Sequence, residues 1–415
     1  MKWPVRPLSE VAEVRLGRQR APKHHHGDSM RPYLRAANVT WSGLSLNDVK
    51  SMNFTDEELA TYRLEPGDIV LSEASGSPSE VGKPAIWSGE IADCAFQNTL
   101  IRVRPREHEP RFLLHYFRYQ ALVGRFVEHS RGVGIHHLGR ARLAMWPTPV
   151  PTLDEQGRIV ELLEDHLSRL DVAMKGLGTA LTRSEALLTA SLWRATHGLN
   201  GASTVQLQSV AEVRLGRQRS PKNHTGDRMR PYLRAANVDW NRLRLDDVKE
   251  MQFSSSEEGI YRLQAGDILL AEASGSAAEV GKSAVYRGEP PNVCFQNTLL
   301  RVRCREVDPD FVQIYLLAEA RAGRFRPETR GVGINHLGRQ RLATLPIQLP
   351  SPDVQRAAAA ACRELMGQVE RLRATVRRQI DASDALRRSL LGAAFSARLT
   401  AAKFDFSLAD EKIDT

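Results

Sequence analysis

Long apolar runs are missing from this chain of 415 residues. None reaches the roughly 18 consecutive apolar residues of a membrane-spanning helix, and the opening MKWPVRPLSE (Met1–Glu10) is not a secretory signal. Cysteine is scarce: Cys94, Cys294, Cys304 and Cys362 share no metal-like spacing. They read as reduced thiols, which excludes a disulfide framework and points to a soluble, cytoplasmic protein. A methyltransferase signature of the Asn-Pro-Pro-aromatic kind is absent, and so is a Gly-x-Ser-x-Gly nucleophile elbow. Charge of one sign does not dominate either. The 58 Lys and Arg against 49 Asp and Glu leave a formal net charge of +9, a moderate excess compatible with a polyanionic partner.

What the chain does contain is a second copy of itself. VAEVRLGRQR at Val11–Arg20 recurs at Val210–Arg219, and RPYLRAANV at Arg31–Val39 recurs at Arg230–Val238. EASGS (Glu73–Ser77), FQNTL (Phe96–Leu100) and RGVGI (Arg131–Ile135) return at Glu272–Ser276, Phe295–Leu299 and Arg330–Ile334. The offset is 199 throughout, and Val11–Val150 matches its partner at 83 of 140 positions without a gap. So long a repeat is a domain with its own core, not a solenoid unit. Two such modules imply two equivalent targets, or one target that is itself two-fold.

Divergence between the copies is uneven. Arg131–Arg140 keeps nine of ten residues in Arg330–Arg339, differing only at His136 and Asn335. Arg111–Gln120 keeps two, Phe112 and Tyr116, as Phe311 and Tyr315. Their spacing of four predicts the buried stripe of a helix whose solvent face has drifted. Retained polar stretches are therefore candidates for shared function.

Proline clusters close each copy, at Pro147, Pro149 and Pro151 and at Pro346, Pro350 and Pro352, with Asp154 or Asp353 placed to cap a following helix. Leu163, Leu167, Leu170, Met174, Leu177, Leu181, Ser184 and Leu188 then step by alternating four and three. Leu365, Val369, Leu372, Val376, Ile380, Ser383, Leu386 and Leu390 do nearly the same. This is a coiled-coil seam. A lone helix with one apolar stripe is not stable, so the two helices are expected to pair. The predicted divisions are residues 1–152 and 199–351 for the modules, 153–198 and 352–399 for the helices, and a polar tail at 400–415.

With these residues in view, the chain resembles the specificity subunits of type I restriction–modification systems. PTLDEQGRIVELLEDHLSRLD at Pro151–Asp171 is similar to that family's central region, and ALRRSLLGAAFSARL at Ala385–Leu399 to its C-terminal region. GDIVLSEAS (Gly67–Ser75) and RGVGIHHL (Arg131–Leu138) resemble its recognition domains. The resemblance implies a mixed α/β chain in which two target recognition domains are held apart by two long helices as an antiparallel coiled coil, with internal pseudo-two-fold symmetry. It implies no catalytic residues, no metal and no cofactor. The implied partners are double-stranded DNA bearing a bipartite site, methyltransferase (modification) subunits, two in number, and restriction subunits. In one departure, Glu155–Gln156 of the central region becomes Val354–Gln355 in the second copy.

Two rival readings start from the same residues. Asp68, Glu73, Glu80 and Lys83 recur as Asp267, Glu272, Glu279 and Lys282, the carboxylates a metal-dependent nuclease would gather around its ion. Against this, Asp68 and Asp267 sit in a turn before an apolar strand. The other rival is a helical assembly protein whose modules bind RNA or protein. GSAAEVGKS at Gly275–Ser283 is no phosphate loop, having five residues between its glycines where four are needed, and Pro84 replaces its Ser in the first copy. Of the triplet His24–His26 only His25 recurs, as His224, so a metal site is not indicated.

Base edges are read by Arg on guanine, by Asn or Gln on adenine, and by Asp or Glu on cytosine. The candidates retained in both copies are Arg18, Gln19, Arg20, Lys23 and His25, then Glu73, Ser75, Ser77, Glu80 and Lys83, then Gln97, Asn98, Arg131 and His137. Their counterparts are Arg217, Gln218, Arg219, Lys222, His224, Glu272, Ser274, Ser276, Glu279, Lys282, Gln296, Asn297, Arg330 and His336. Gln97 and Asn98 are also placed to cap a strand, and Arg35 and Arg234 to anchor a local carboxylate as readily as a phosphate.

Overall fold

A computed structural model describes residues 3–127, 136–274, 279–325 and 335–396. They form two compact units: Met1–Gly176 with Arg378–Thr415, and Leu177–Arg377. Each unit holds one module and parts of both long helices.

In the first module a four-stranded antiparallel sheet runs Ala12–Leu16, Leu100–Pro105, Ile69–Ser72, Pro84–Ile86. The run IVLS has no polar alternation because both faces of its strand are covered, which a strand's two-residue side-chain period makes possible. Ile69 and Leu71, with Ile101 and Val103, face the helix Pro110–Leu122. Val70 and Leu100 face a second core built on Phe96 and Trp87. Beside the latter lies a three-stranded sheet, Ala95–Phe96, Met30–Leu34, Lys50–Asn53, its first pair parallel. Val5–Pro7 pairs with Pro147–Pro149 and closes the module. The second module repeats this with Ala211–Leu215, Leu299–Cys304, Ile268–Ala271 and Ser283–Val285.

Asp68 and Asp267 are turn residues, as their position before the strand predicts. The buried Asp68 carboxylate accepts from the Glu65 amide at 2.7 Å and from Arg104 Nε at 2.7 Å. Asp267 repeats both bonds with Gln264 and Arg303.

The helix Pro110–Leu122 corrects one expectation. Phe112 and Tyr116 are buried, but so are Leu113, Leu114, His115, Phe117 and Gln120. Its counterpart Pro309–Arg321 is buried over ten consecutive residues. Most positions that diverged are thus buried: in the second copy Val312 and Leu316 pack into the module's own core, and Ile314, Leu317 and Ala318 against the long helices.

Those helices span Leu153–Thr196 and Pro352–Phe395, 44 residues each, so about 66 Å at 1.5 Å per residue. In the first unit Ile159, Val160 and Leu163 of the central helix pack with Leu390 and Leu391 of the C-terminal helix. In the second, Leu188 and Leu192 pack with Ala359, Cys362 and Val369. Each unit therefore sets the start of one long helix beside the end of the other, the arrangement of antiparallel partners. The predicted stripe is buried or half-buried except at Ile380, which is 43% exposed.

The departure at Glu155–Gln156 has a local cause. Gln156 joins helix to module in both copies: its Oε1 accepts from the Glu109 amide at 2.9 Å and its Nε2 donates to Pro151 O at 3.0 Å. Gln355 does the same with Asp308 and Pro350. Glu155 instead accepts from Trp3 Nε1 at 3.0 Å, and the second copy has Ala202 where Trp3 would be. With the indole gone the carboxylate has no partner, and Val354 is tolerated.

Candidate nucleic-acid interface

The retained segments, scattered over more than a hundred residues of each copy, meet along one edge of the module. Gly17 N donates to Leu100 O at 3.1 Å, Arg18 N to Phe96 O at 3.1 Å, and Asn98 N to Arg18 O at 3.0 Å. A Cβ on Gly17 would lie 2.2 Å from Gln97 O, and one on Gly216 would meet Gln296 O at the same distance. Only glycine permits this approach. The Gln97–Leu100 turn, closed by Leu100 N to Gln97 O at 2.9 Å, presents Thr99 O to the Glu73 amide at 2.9 Å. Glu73 O then accepts from Leu138 N at 2.7 Å. VRLGR, FQNTL, EASGS and HHLG are thus stitched together by main-chain bonds, and the second copy repeats them through Glu272 N to Thr298 O and Leu337 N to Glu272 O.

Several candidate side chains are spent inside this edge. Arg18 is 6% exposed. Its guanidinium donates to both Glu58 oxygens, at 2.6 and 2.7 Å, and to Asn53 O at 2.7 Å, and it lies 4.8 Å from the Phe54 ring centroid. Arg217 does likewise with Glu257, Gln252 O and Phe253. Neither is placed to reach a base edge; each clamps the base of the first loop. Lys83 is similarly buried and held by Glu80, whose Oε1 also accepts from Trp41 Nε1 at 3.1 Å. Lys282 is held by Glu279 and by Asp239 at 3.4 Å. These lysines brace the second loop and are not free phosphate contacts.

Gln19, Arg20, Gln218, Arg219, Lys222 and His224 are exposed on the first loop, and His25 is half-buried there. Ser75 pairs across to His136, and Ser77 is exposed at the tip beyond it. His137 Nδ1 lies 3.1 Å from Glu73 Oε2, and His336 Nδ1 lies 2.9 Å from Glu272 Oε2. Both imidazoles are 60% exposed, while the carboxylates sit beneath them. Gln97, Asn98, Gln296 and Asn297 are half-buried. Arg131, Arg330 and Ser276 lie outside the described residues, as do the side chains of Lys23 and Ser274.

The carboxylates of the nuclease reading do not converge. Asp68 is on Arg104, Glu73 on His137 and Glu80 on Lys83. Arg35 and Arg234 anchor local carboxylates: Arg35 pairs with Asp48, and Arg234 with Asp247 at 2.5 Å. Residue-type reasoning missed Glu58, Asp48 and Thr99, yet each is unchanged in the second copy, as Glu257, Asp247 and Thr298. Identity between the copies was the signal that marked them.

Burial works to raise the Glu58 carboxyl, but the Thr55 amide and the Arg18 guanidinium outweigh it and hold it below its ordinary 4.5. A depressed carboxyl stabilises the fold above its unfolded value, and that contribution is lost as pH falls through the folded one. Comparing urea midpoints of the wild type and Glu58→Gln across pH checks this. The wild type's advantage should be full above about 4.5 and shrink below it; an advantage constant to the lowest pH would disprove the charged clamp.

A module edge built to present polar loops, duplicated and joined to long paired helices, is the build of a protein with two like recognition surfaces. Comparisons narrow it. Residues 1–180 match the family model described as "Type I restriction modification DNA specificity domain". The chain is 23% identical over 421 aligned residues to the type I restriction enzyme StySPI specificity subunit of Salmonella potsdam, spanning 96% of this chain and 89% of that one. The EcoKI specificity subunit of Escherichia coli K12 matches at the same identity and coverage. Among solved structures, a chain from a study of "complex assembly and conformational transition of the type I R-M system" aligns with TM-score 0.74 at 18% identity, covering 95% of this chain and 97% of that one. The HsdS subunit of Thermoanaerobacter tengcongensis aligns with TM-score 0.55 at the same identity and coverage. Over nearly its whole length the chain is thus similar to specificity subunits of type I restriction–modification systems, and the model of their DNA specificity domain covers its first module and the start of its central helix. Such subunits are non-catalytic and work with methyltransferase and restriction subunits. No described helix is long and apolar enough to cross a membrane.

Proposed function

We propose that the two modules read the same half-site in opposite orientations, so that the target is an interrupted palindrome whose spacer is not read. The observation that carries this is the shared edge: both modules clamp, stitch and present the first loop and the Gln97 or Gln296 turn with the same bonds. Base contacts are assigned to Gln19, Arg20, Gln97, Asn98 and His137 and to their counterparts, with phosphates taken by the remaining exposed cations of the first loop. The complex acts in the cytoplasm, with two methyltransferase subunits, one for each module, and with restriction subunits.

Sequencing methylated bases in a host that expresses the complex tests the reading. The expected motif is one half-site, a spacer, and the inverted complement of the first. Two unrelated half-sites would overturn it, and would assign specificity to the positions that differ, such as His26 and Thr225, Ser29 and Arg228, or His136 and Asn335.

A further inference from the structure

The copies have diverged most where each module's helix meets the long helices, and there the differences come in matched, inverted sets. In the first unit Pro110–Leu122 packs against the start of the central helix and the end of the C-terminal one. In the second, Pro309–Arg321 packs against the start of the C-terminal helix and the end of the central one. Every contact thus has a counterpart 199 residues away.

Size is exchanged first. The Tyr119 ring lies 3.5 Å from where a Cβ on Gly392 would stand, and it stacks on Phe395 at 6.0 Å. The counterparts of Tyr119 and Gly392 are Ala318 and Trp193, which share an apolar cluster in the second unit. There the large residue is on the long helix and the small one on the module. Polarity differs at the next position. Glu319, almost fully buried, lies with its Oε1 2.7 Å from His197 Nε2, whereas the first unit has Gln120 and Ser396. A third inversion, of sign, lies elsewhere: Arg111 pairs with Glu164 at 2.9 Å and Asp310 with Arg363 at 3.4 Å, which joins each module to the start of its own helix and takes no part in the choice of helix end.

We propose that the differences in size and polarity are docking keys: the first module accepts only the end of the C-terminal helix, and the second only the end of the central helix. The partner each module fits is therefore the other half of the chain, and the partner it rejects is a like half from a second copy. With the ends exchanged, Trp193 would overpack Tyr119, while Gly392 opposite Ala318 would leave a void. Glu319 would be buried opposite Ser396 without its 2.7 Å partner His197, leaving only Arg324 at 3.8 Å, and removing one partner of a buried hydrogen-bonded group is destabilising. Two modules alike at 83 of 140 positions would otherwise invite pairing of like halves.

The test uses the full-length chain. A helix-end exchange combines Trp193→Gly, Gly392→Trp, His197→Ser and Ser396→His. A module exchange combines Tyr119→Ala, Ala318→Tyr, Gln120→Glu and Glu319→Gln. The helix-end exchange alone should lower the melting midpoint by at least about 5 °C, and adding the module exchange should recover most of that loss, with light scattering giving the wild-type mass. A helix-end exchange that melts like the wild type overturns the proposal. So does an eightfold variant no more stable than the fourfold one, because packing without complementarity would not be rescued.

Discussion

Arg18→Ala together with Arg217→Ala is expected to remove most sequence-selective DNA binding, although neither guanidinium is placed to touch a base. Each holds a loop base through a carboxylate and a main-chain carbonyl at once. Hydrogen bonds to charged groups contribute about 1.5–3 kcal/mol, and the one-third exposure of Glu58 and Glu257 reduces this by solvent screening. The loop that carries Gln19, Arg20 and His25 then loses its fixed register. Specific affinity should fall about 10- to 100-fold toward the non-specific level, with little change in salt slope because no phosphate contact is removed. Arg18→Lys should not restore it, since an ammonium cannot span Glu58 and Asn53 O together. Anisotropy titrations of specific and scrambled duplexes measure both quantities. Undiminished discrimination in the double alanine variant would mean that the clamp does not position readers.

The second large effect is expected from Leu163→Asp and Leu192→Asp, one in each unit. Both leucines are fully buried where a module, one helix start and one helix end come together. A carboxylate there loses the apolar contact and is left without a partner, costing about 4 kcal/mol or more. The melting midpoint should fall by several degrees, and the methyltransferase subunits should no longer co-purify. Leu187→Asp on the same helix is the control. Leu187 is 60% exposed, so its substitution should stay within about 0.5 kcal/mol of the wild type. Normal assembly of the Leu163→Asp, Leu192→Asp chain would show that methyltransferase binding does not depend on these contacts.

Legibility differed by level. The seam spacing located both long helices to within a few residues, because a 3.5-residue period is a property of consecutive positions. The turn at Asp68 was equally plain from its place before an apolar strand. The helix Pro110–Leu122 was misjudged, since variability between copies looks alike whether a face has drifted in solvent or has been rebuilt against a different neighbour. His115 against Ile314, and Tyr119 against Ala318, are changes of the second kind.

The repeat, its constant offset, the order of module and helix, and the identity of the retained segments follow from the sequence by itself, because each depends only on residues compared along the chain. Which retained polar residues are spent on one another was decided by the tertiary structure alone. Arg18 and Arg20 are two positions apart and equally basic on paper. In the fold, Glu58, forty residues away, captures the first and leaves the second exposed. A charge is free or consumed according to what the fold brings within about 3 Å of it, and no local pattern encodes that distance.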